Sequence, residues 1–334
     1  MNGNVRMQHS TLKNPEAEHQ AQTRAILIAN PTSGSYLLHA QQIKETVTFL
    51  REHGWQTELK LTQRAGDARR FAREAVEQDI GVVVATGGDG TINEVIQELA
   101  GSETALGVLP SGTVNVWARE MNIPLDNYGA RNVLLNGQIK RVDLGKLNDS
   151  AYFLLMGGVG MDGDITHAVE RKPAKRLGIL GYALVGAWLG LGYQPFRTYL
   201  QVDKHKIKVN ALQVIVGNTQ LYGGAIKYTW EAKCDDGILD VCIVHQRNIV
   251  ERLLVVLDFL LRRKRRHQWV RYEKCKELTI VTQRRIGIQL DGDPFGYTNE
   301  GLPATRFSIA PRALKVIVPQ NAPANLFTEE IEEA

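Results

Sequence analysis

Gly81-Val82-Val83-Val84-Ala85-Thr86-Gly87-Gly88-Asp89-Gly90-Thr91-Ile92-Asn93-Glu94 is an aliphatic run that empties into glycines and then into a helix start. The free amides of a first helical turn and the positive end of its dipole both favour an anion, so this junction suits phosphate. Thr91 and Glu94 stand at capping-box spacing, which predicts the helix start beside a loop almost free of side chains. A tight strand-to-helix turn with no ligand is the plainer reading of the same residues.

Outward from this stretch, residues 24 to about 144 alternate between short aliphatic runs, turns and helical periods, the pattern of α/β layering. Strands are predicted at Ile26 to Ala29, Glu58 to Leu61, Gly81 to Ala85 and Leu106 to Leu109, and helices near Ala40 to His53, Asp67 to Glu77 and Thr91 to Leu99. Gly54 and Gly101 are the stop signals. Beyond about Gly145 short alternating strands take over, including Arg197 to Val202, Asn210 to Val216, Leu239 to Val244, Glu277 to Val281 and Ile286 to Leu290. The fold expected is an N-terminal, three-layer α/β domain, residues 24–144, and a C-terminal, mainly antiparallel β domain, residues 145–310. A flexible extension, residues 1–23, precedes them, and a return segment with an acidic tail, residues 311–334, follows.

The chain has 334 residues, 43% of them hydrophobic, enough to fill two ordinary cores. A net charge of +4 and a pI near 8.9 are too mild to argue for nucleic acid. Cys234, Cys242 and Cys275 show no C-x-x-C spacing and read as buried, reduced thiols of a cytoplasmic protein. Met1 to Thr23 lacks the apolar core of a signal peptide. Leu177 to Tyr193, uncharged but rich in glycine, is too short for a spanning helix; it reads as core or as the lining of an acyl-chain pocket.

Further strings lie in fixed order around the glycine loop. Asn30-Pro31-Thr32-Ser33-Gly34 closes the first strand, Thr62-Gln63-Arg64-Ala65-Gly66-Asp67-Ala68 follows the second, and Leu109-Pro110-Ser111-Gly112-Thr113-Val114-Asn115 follows the fourth. Asp235-Asp236-Gly237-Ile238-Leu239-Asp240 and Asp291-Gly292-Asp293 come much later. No Walker-type G-x-x-x-x-G-K-[ST] string is present. In this order the strings resemble the diacylglycerol kinase-like lipid kinases over most of the chain.

The resemblance implies an ATP-dependent, Mg²⁺-requiring kinase that phosphorylates a lipid hydroxyl in a cleft between the two domains, the first binding nucleotide and the second a β-sandwich. It assigns the triphosphate to Gly87, Gly88, Asp89, Gly90, Thr91 and Asn93, with Asn30, Thr62 and Thr113 nearby. The Asp89 carboxylate then meets Mg²⁺ or its water, or else caps backbone amides in a turn. The family's general base falls on Asp293, where this chain has Asp in place of Glu. Asp291 or a water could share the task, and a plain Asp-Gly turn is the alternative. Val116 replaces another acid of the family's network, so cation binding leans on Asp89, Asp67 or Asp293. Asp236, with the carbonyls of Lys233 and Ile238, resembles a structural Mg²⁺ site; a metal-free Asp-Gly hairpin is the other reading.

Ile249 to Leu261 is strongly apolar and runs into Arg262-Arg263-Lys264-Arg265-Arg266. The pair suits an anionic membrane surface, at about 1 kcal/mol per basic residue, or equally a core helix with a solvated cationic end. The partners expected are ATP, a lipid, that membrane surface and, as an option, a second copy in a homodimer; nucleic acid is not expected. Two rival functions stand beside the lipid kinase: a soluble kinase of the NAD kinase type, and a lipid-binding homologue that has lost catalysis. Gly158-Val159-Gly160-Met161-Asp162-Gly163 fits G-x-G-x-x-G but lacks the rest of a dinucleotide unit.

Overall fold

The computed structural model describes residues 23–31, 36–170, 190, 192–224, 226–245, 248–261 and 269–328. The first half alternates as β1 (Arg24–Ala29), α1 (Tyr36–Glu52), β2 (Gln56–Leu61), α2 (Asp67–Glu77), β3 (Val82–Gly87), α3 (Asp89–Leu99) and β4 (Ala105–Pro110). Then come α4 (Val116–Glu120), α5 (Asn127–Asn136) and β5 (Gln138–Leu147). The order β4-β3-β1-β2 is parallel throughout, with Leu27 beside Leu59 on one side and Val84 on the other. Every residue of β3 is buried, because helices cover both faces of a parallel sheet and leave no polar side to the strand. On one side α2 buries Ala68, Phe71, Ala72 and Ala75, a single helical stripe.

The second half holds β6 (Ala151–Phe153), β7 (Met156–Gly160), α6 (Met161–Glu170), β8 (Phe196–Val202), β9 (His205–Gly217), β10 (Leu221–Tyr222), β11 (Ile226–Lys227) and β12 (Leu239–His245). It ends with α7 (Ile249–Leu260), β13 (Val270–Cys275), β14 (Glu277–Thr282), β15 (Gly287–Leu290), β16 (Asp293–Tyr297) and β17 (Thr305–Val318). Pairing here is antiparallel: β8 with β9 and β14, β7 with β9 and β15, β12 with β9 and β13. β8 alternates strictly, with Phe196, Thr198, Leu200 and Val202 inward. β9 alternates only until Val209 and is buried from Ala211 on. There it leaves β8 and runs between β7 and β12. Because β7 pairs only in antiparallel fashion, the G-x-G-x-x-G string is not a dinucleotide unit.

β17 joins the halves. Its first part pairs with β14, and Lys315 and Val316 pair in parallel with Ala105 and Leu106 of β4. The handover is a bulge between Ala310 and Leu314, where Arg312 takes φ 49°. The Asp143 carboxylate fixes the bulge by accepting from the Arg312 amide at 2.6 Å.

The expected strands and helices of the first half appear with ends shifted by a few residues. One expectation needs correction. α3 begins at Asp89 with Gly88 as its cap, and no side chain closes a capping box. Glu94 faces α2 instead, its Oε2 accepting from the Gly66 amide at 3.0 Å. Residues 1–22, Thr32 to Gly34, most of Leu177 to Tyr193, Arg262 to Arg266 and the acidic tail lie outside the described residues. Among the described residues no helix is long and apolar enough to cross a membrane. The three cysteines are free and buried, and burial raises each thiol, Cys275 to about 12.

Candidate active site

Asn30, Thr62, the Gly87–Gly90 bend and Ser111-Gly112-Thr113 all lie at the carboxyl ends of parallel strands, where open sheets bind ligands. Backbone bonds tie them together: the Asn30 amide donates to Thr86 O, Thr62 to Ala29 O and Ser111 to Gly87 O, each at 3.0 to 3.1 Å. The two glycine loops touch directly. A Cβ on Gly112 would lie 2.5 Å from Gly88 Cα and 2.8 Å from Asn115 Oδ1. A Cβ on Gly87 would strike the Thr91 hydroxyl, which folds back over it. Asn115 braces the second loop from both ends, its Oδ1 accepting from the Gly112 amide at 2.9 Å and its Nδ2 donating to Gly112 O at 2.8 Å. The result is a narrow bend of peptide groups that a phosphate can approach closely. Thr113 is exposed beside it.

Asp89 opens α3, but its side chain reaches across to α4. Oδ2 accepts from the Val116 amide at 3.0 Å and Oδ1 from Trp117 at 3.3 Å. Removal from water raises its pKa, and these amides oppose the rise. Asp89 thus caps backbone amides, those of α4, and each of its oxygens keeps a second lone pair for a ligand. Asp67 likewise holds its own loop, accepting from the Gln63 amide at 2.8 Å and Arg64 at 3.1 Å, and the Gln63 bond chiefly lowers its pKa. Asn93 turns along α3, its Oδ1 accepting from Gln97 Nε2 at 3.0 Å. Gln97 in turn donates to Tyr152 O, so Asn93 Oδ1 is already engaged along its own helix.

The other wall comes from the second half. Leu290 and Asp293 pair across a two-residue loop in which Asp291 and Gly292 have φ 50° and 89°, the signature of a type I′ hairpin. Asp291 turns away into backbone. Its carboxylate accepts from the amides of Leu154, Leu155 and Met156 at 2.8 to 2.9 Å, and loss of hydration pushes its pKa up to about 7. Asp293 is exposed, and its Oδ2 lies 3.4 Å from where a Cβ on Gly90 would be. The Asp-Gly turn and the forward carboxylate are therefore one device: the turn aims Asp293 over the glycine bend.

Asp236 sits apart from this cleft. Its Oδ1 accepts from the Ile238 amide at 3.0 Å, closing a local turn, while the Gly237 amide goes to Asp143 at 2.6 Å. Burial raises the pKa of both Asp143 and Asp236, and Asp235 adds to the rise in each. Among the described residues no cluster of three or more His, Cys, Asp or Glu has the arrangement of a metal site.

Gly112 and Asn115 belong to the Ser-Gly-Thr-x-Asn string. Asp143 and Glu120 lie outside every string that the sequence offers. Glu120 accepts from the amides of Gln220 and Leu221, about a hundred positions on.

Residues 24–147 match the diacylglycerol kinase catalytic domain. Residues 157–318 match the YegS C-terminal NAD kinase beta sandwich-like domain. A diacylglycerol kinase of Staphylococcus saprophyticus is 30% identical over 272 residues, 81% of this chain and 88% of its own length. The chain belongs to the diacylglycerol kinase family. A Staphylococcus aureus member is 31% identical over 275 residues, 81% of this chain and 86% of its own. A crystal structure from Bacillus anthracis, provisionally assigned as a diacylglycerol kinase, superposes with a TM-score of 0.75 at 25% identity, covering 89% of this chain and 98% of that one. The chain is thus a lipid kinase with ATP as its implied phosphate donor. The NAD kinase likeness enters through the second domain, residues 157–318.

Proposed function

We propose that this kinase transfers the γ-phosphate of ATP to a hydroxyl of diacylglycerol or a closely related lipid, at the inner face of the membrane from the cytoplasm. The carrying observation is Asp293 Oδ2 poised over Gly90, a carboxylate from one half above the phosphate bend of the other. In this reading the peptide amides of Gly87, Gly88, Asp89 and Gly90 receive the triphosphate, with Asn30, Thr62, Thr91, Asn93 and Thr113 at its edges; the Thr91 amide itself donates to Gly88 O at 3.0 Å. The lipid hydroxyl oxygen attacks the γ-phosphorus, the bond to the β,γ-bridging oxygen breaks, ADP leaves and Asp293 takes the hydroxyl proton. Substituting Asp for the family's Glu shortens the base by one methylene, a difference that the backbone of the Asp291-Gly292 hairpin would have to make up.

Magnesium suits the site in its usual kinase mode, one or two carboxylates plus phosphate oxygens. Asp89 would hold it through its remaining lone pairs, and it would offset charge on the transferring group. A second, structural cation at Asp236 with the carbonyls of Lys233 and Ile238 would relieve the mutual repulsion of Asp143, Asp235 and Asp236. The basic run Arg262 to Arg266 would favour contact with an anionic membrane surface. A lipid-binding homologue with weak catalysis is the second reading, favoured by Val116 and by the Asp89 cap on α4. The discriminating experiment incubates the protein and magnesium with γ-labelled ATP and a total lipid extract, and identifies the labelled product by mass. Phosphatidic acid or a related phospholipid supports the kinase; vesicle binding without any labelled lipid supports the second reading.

A further inference from the structure

α7 presents an exposed apolar stripe. Val250, Leu253, Leu254, Leu257 and Leu261 recur at helical spacing and are 62%, 56%, 43%, 48% and 49% exposed. The Leu261 amide donates to Leu257 O at 2.8 Å, so the helical path reaches the last of them. Single apolar residues are ordinary on a protein surface, whereas five in a row along one helix form a patch that marks an interaction. The helix is moored through its other side: Asp258 is buried, and Arg252 Nη1 donates to the carbonyls of Gly190 and Tyr193 at 3.3 and 3.0 Å.

Charge selects the occupant. From Leu261 the chain continues directly into five consecutive cations, Arg262 to Arg266. An apolar stripe that ends in a cationic run answers an anionic bilayer, which offers acyl chains to the one and headgroups to the other. A second copy of the chain would bring the same cations and repel them.

We infer that α7 is an interfacial helix that lays Val250, Leu253, Leu254, Leu257 and Leu261 into the surface of an anionic bilayer and so holds the kinase at its substrate. This deepens the lipid-kinase reading and rests on it only for the purpose of the attachment. α7 also belongs to the half that supplies Asp293. Tyr193, whose carbonyl Arg252 holds, donates its hydroxyl to Asp164 Oδ2 at 2.6 Å. Asp164 Oδ1 accepts from Gly287 of β15, the strand paired with β16 and its Asp293.

The test is co-sedimentation of the full-length protein with phosphatidylglycerol-containing vesicles and with pure phosphatidylcholine vesicles, comparing wild type with L253E/L257E. Turnover of short-chain diacylglycerol dispersed in detergent is followed in parallel. The inference expects anionic vesicles to be preferred, the double variant to lose at least about tenfold in partitioning, and short-chain turnover to stay as in wild type. Both positions are exposed, so folding should survive; L253Q/L257Q gives a milder second pair and should lose partitioning in the same direction. Equal partitioning of variant and wild type overturns the inference. So does a wild-type dimer in light scattering that the variant converts to monomer, since the stripe would then belong to a second copy. If neither protein turns over short-chain lipid but the variant still loses vesicles, the kinase reading fails and the interfacial helix stands.

Discussion

Asp293 and Gly112 carry opposite kinds of precision. Asp293 must be charged and in place: D293N keeps the shape and removes the base, so turnover should fall by about 10² to 10⁴ with ATP binding preserved. Parallel phosphotransfer assays and calorimetry separate the two effects. Gly112 must have no side chain at all. G112A places a carbon 2.5 Å from Gly88 Cα and forces the two phosphate loops apart. A shift of about 1 Å costs on the order of a hundredfold in rate when geometry is limiting. G88A, whose new carbon meets Gly112 Cα at an ordinary 3.4 Å, should cost clearly less in the same kcat/KM comparison for ATP. The placement of the glycines and the threonines at strand ends could be read from the chain, because strand and turn signals are local to short strings. The cap that Asp89 makes on α4 could not be read, since its partners are Val116 and Trp117 on another helix.

Between elements, the clearest electrostatic joint is Glu98 on α3, clamped by Arg69 and Arg73 of α2 at 2.5 to 3.0 Å. The Arg73 hydrogen bond chiefly, with Arg69 adding to it, holds Glu98 at about 2 against an ordinary 4.5. A depressed carboxyl stabilises the folded state above its unfolded pKa, and that contribution disappears as pH falls from 4.5 towards 2. Because both arginines are half exposed, the clamp is worth only about 1 kcal/mol. Urea unfolding should show E98Q less stable than wild type at pH 7, with the gap closing towards pH 2. The strands beside this joint were legible from burial alone, since β1, β3 and β4 are nearly unbroken apolar runs. The capping-box spacing of Thr91 and Glu94 misled because α2 competes for Glu94: the Gly66 amide takes its carboxylate, and α3 starts two residues earlier on glycine.

Among the links between the halves, two bear most directly on the site. One is β17, which pairs with β14 and then with β4 around the Asp143-anchored bulge. The other is α4, capped by Asp89 at its start and ending in Glu120, whose carboxylate accepts from Gln220 at 3.1 Å and Leu221 at 2.8 Å. E120A leaves two amides of the second half without this acceptor, at a cost of about 2 to 4 kcal/mol in urea unfolding. Turnover should fall with it, because the link sets how Asp293 meets the glycine bend. No sequence pattern announces such a contact, whereas the change from α/β alternation to short strands announced both architectures. The central claim is that the glycine bend and Asp293 together phosphorylate a lipid. It is tested most directly by incubating wild type and D293N with magnesium, γ-labelled ATP and diacylglycerol in anionic vesicles. Labelled phosphatidic acid from wild type, and almost none from D293N that still binds ATP, is the outcome expected; equal labelling by both proteins, or none by wild type, would contradict it.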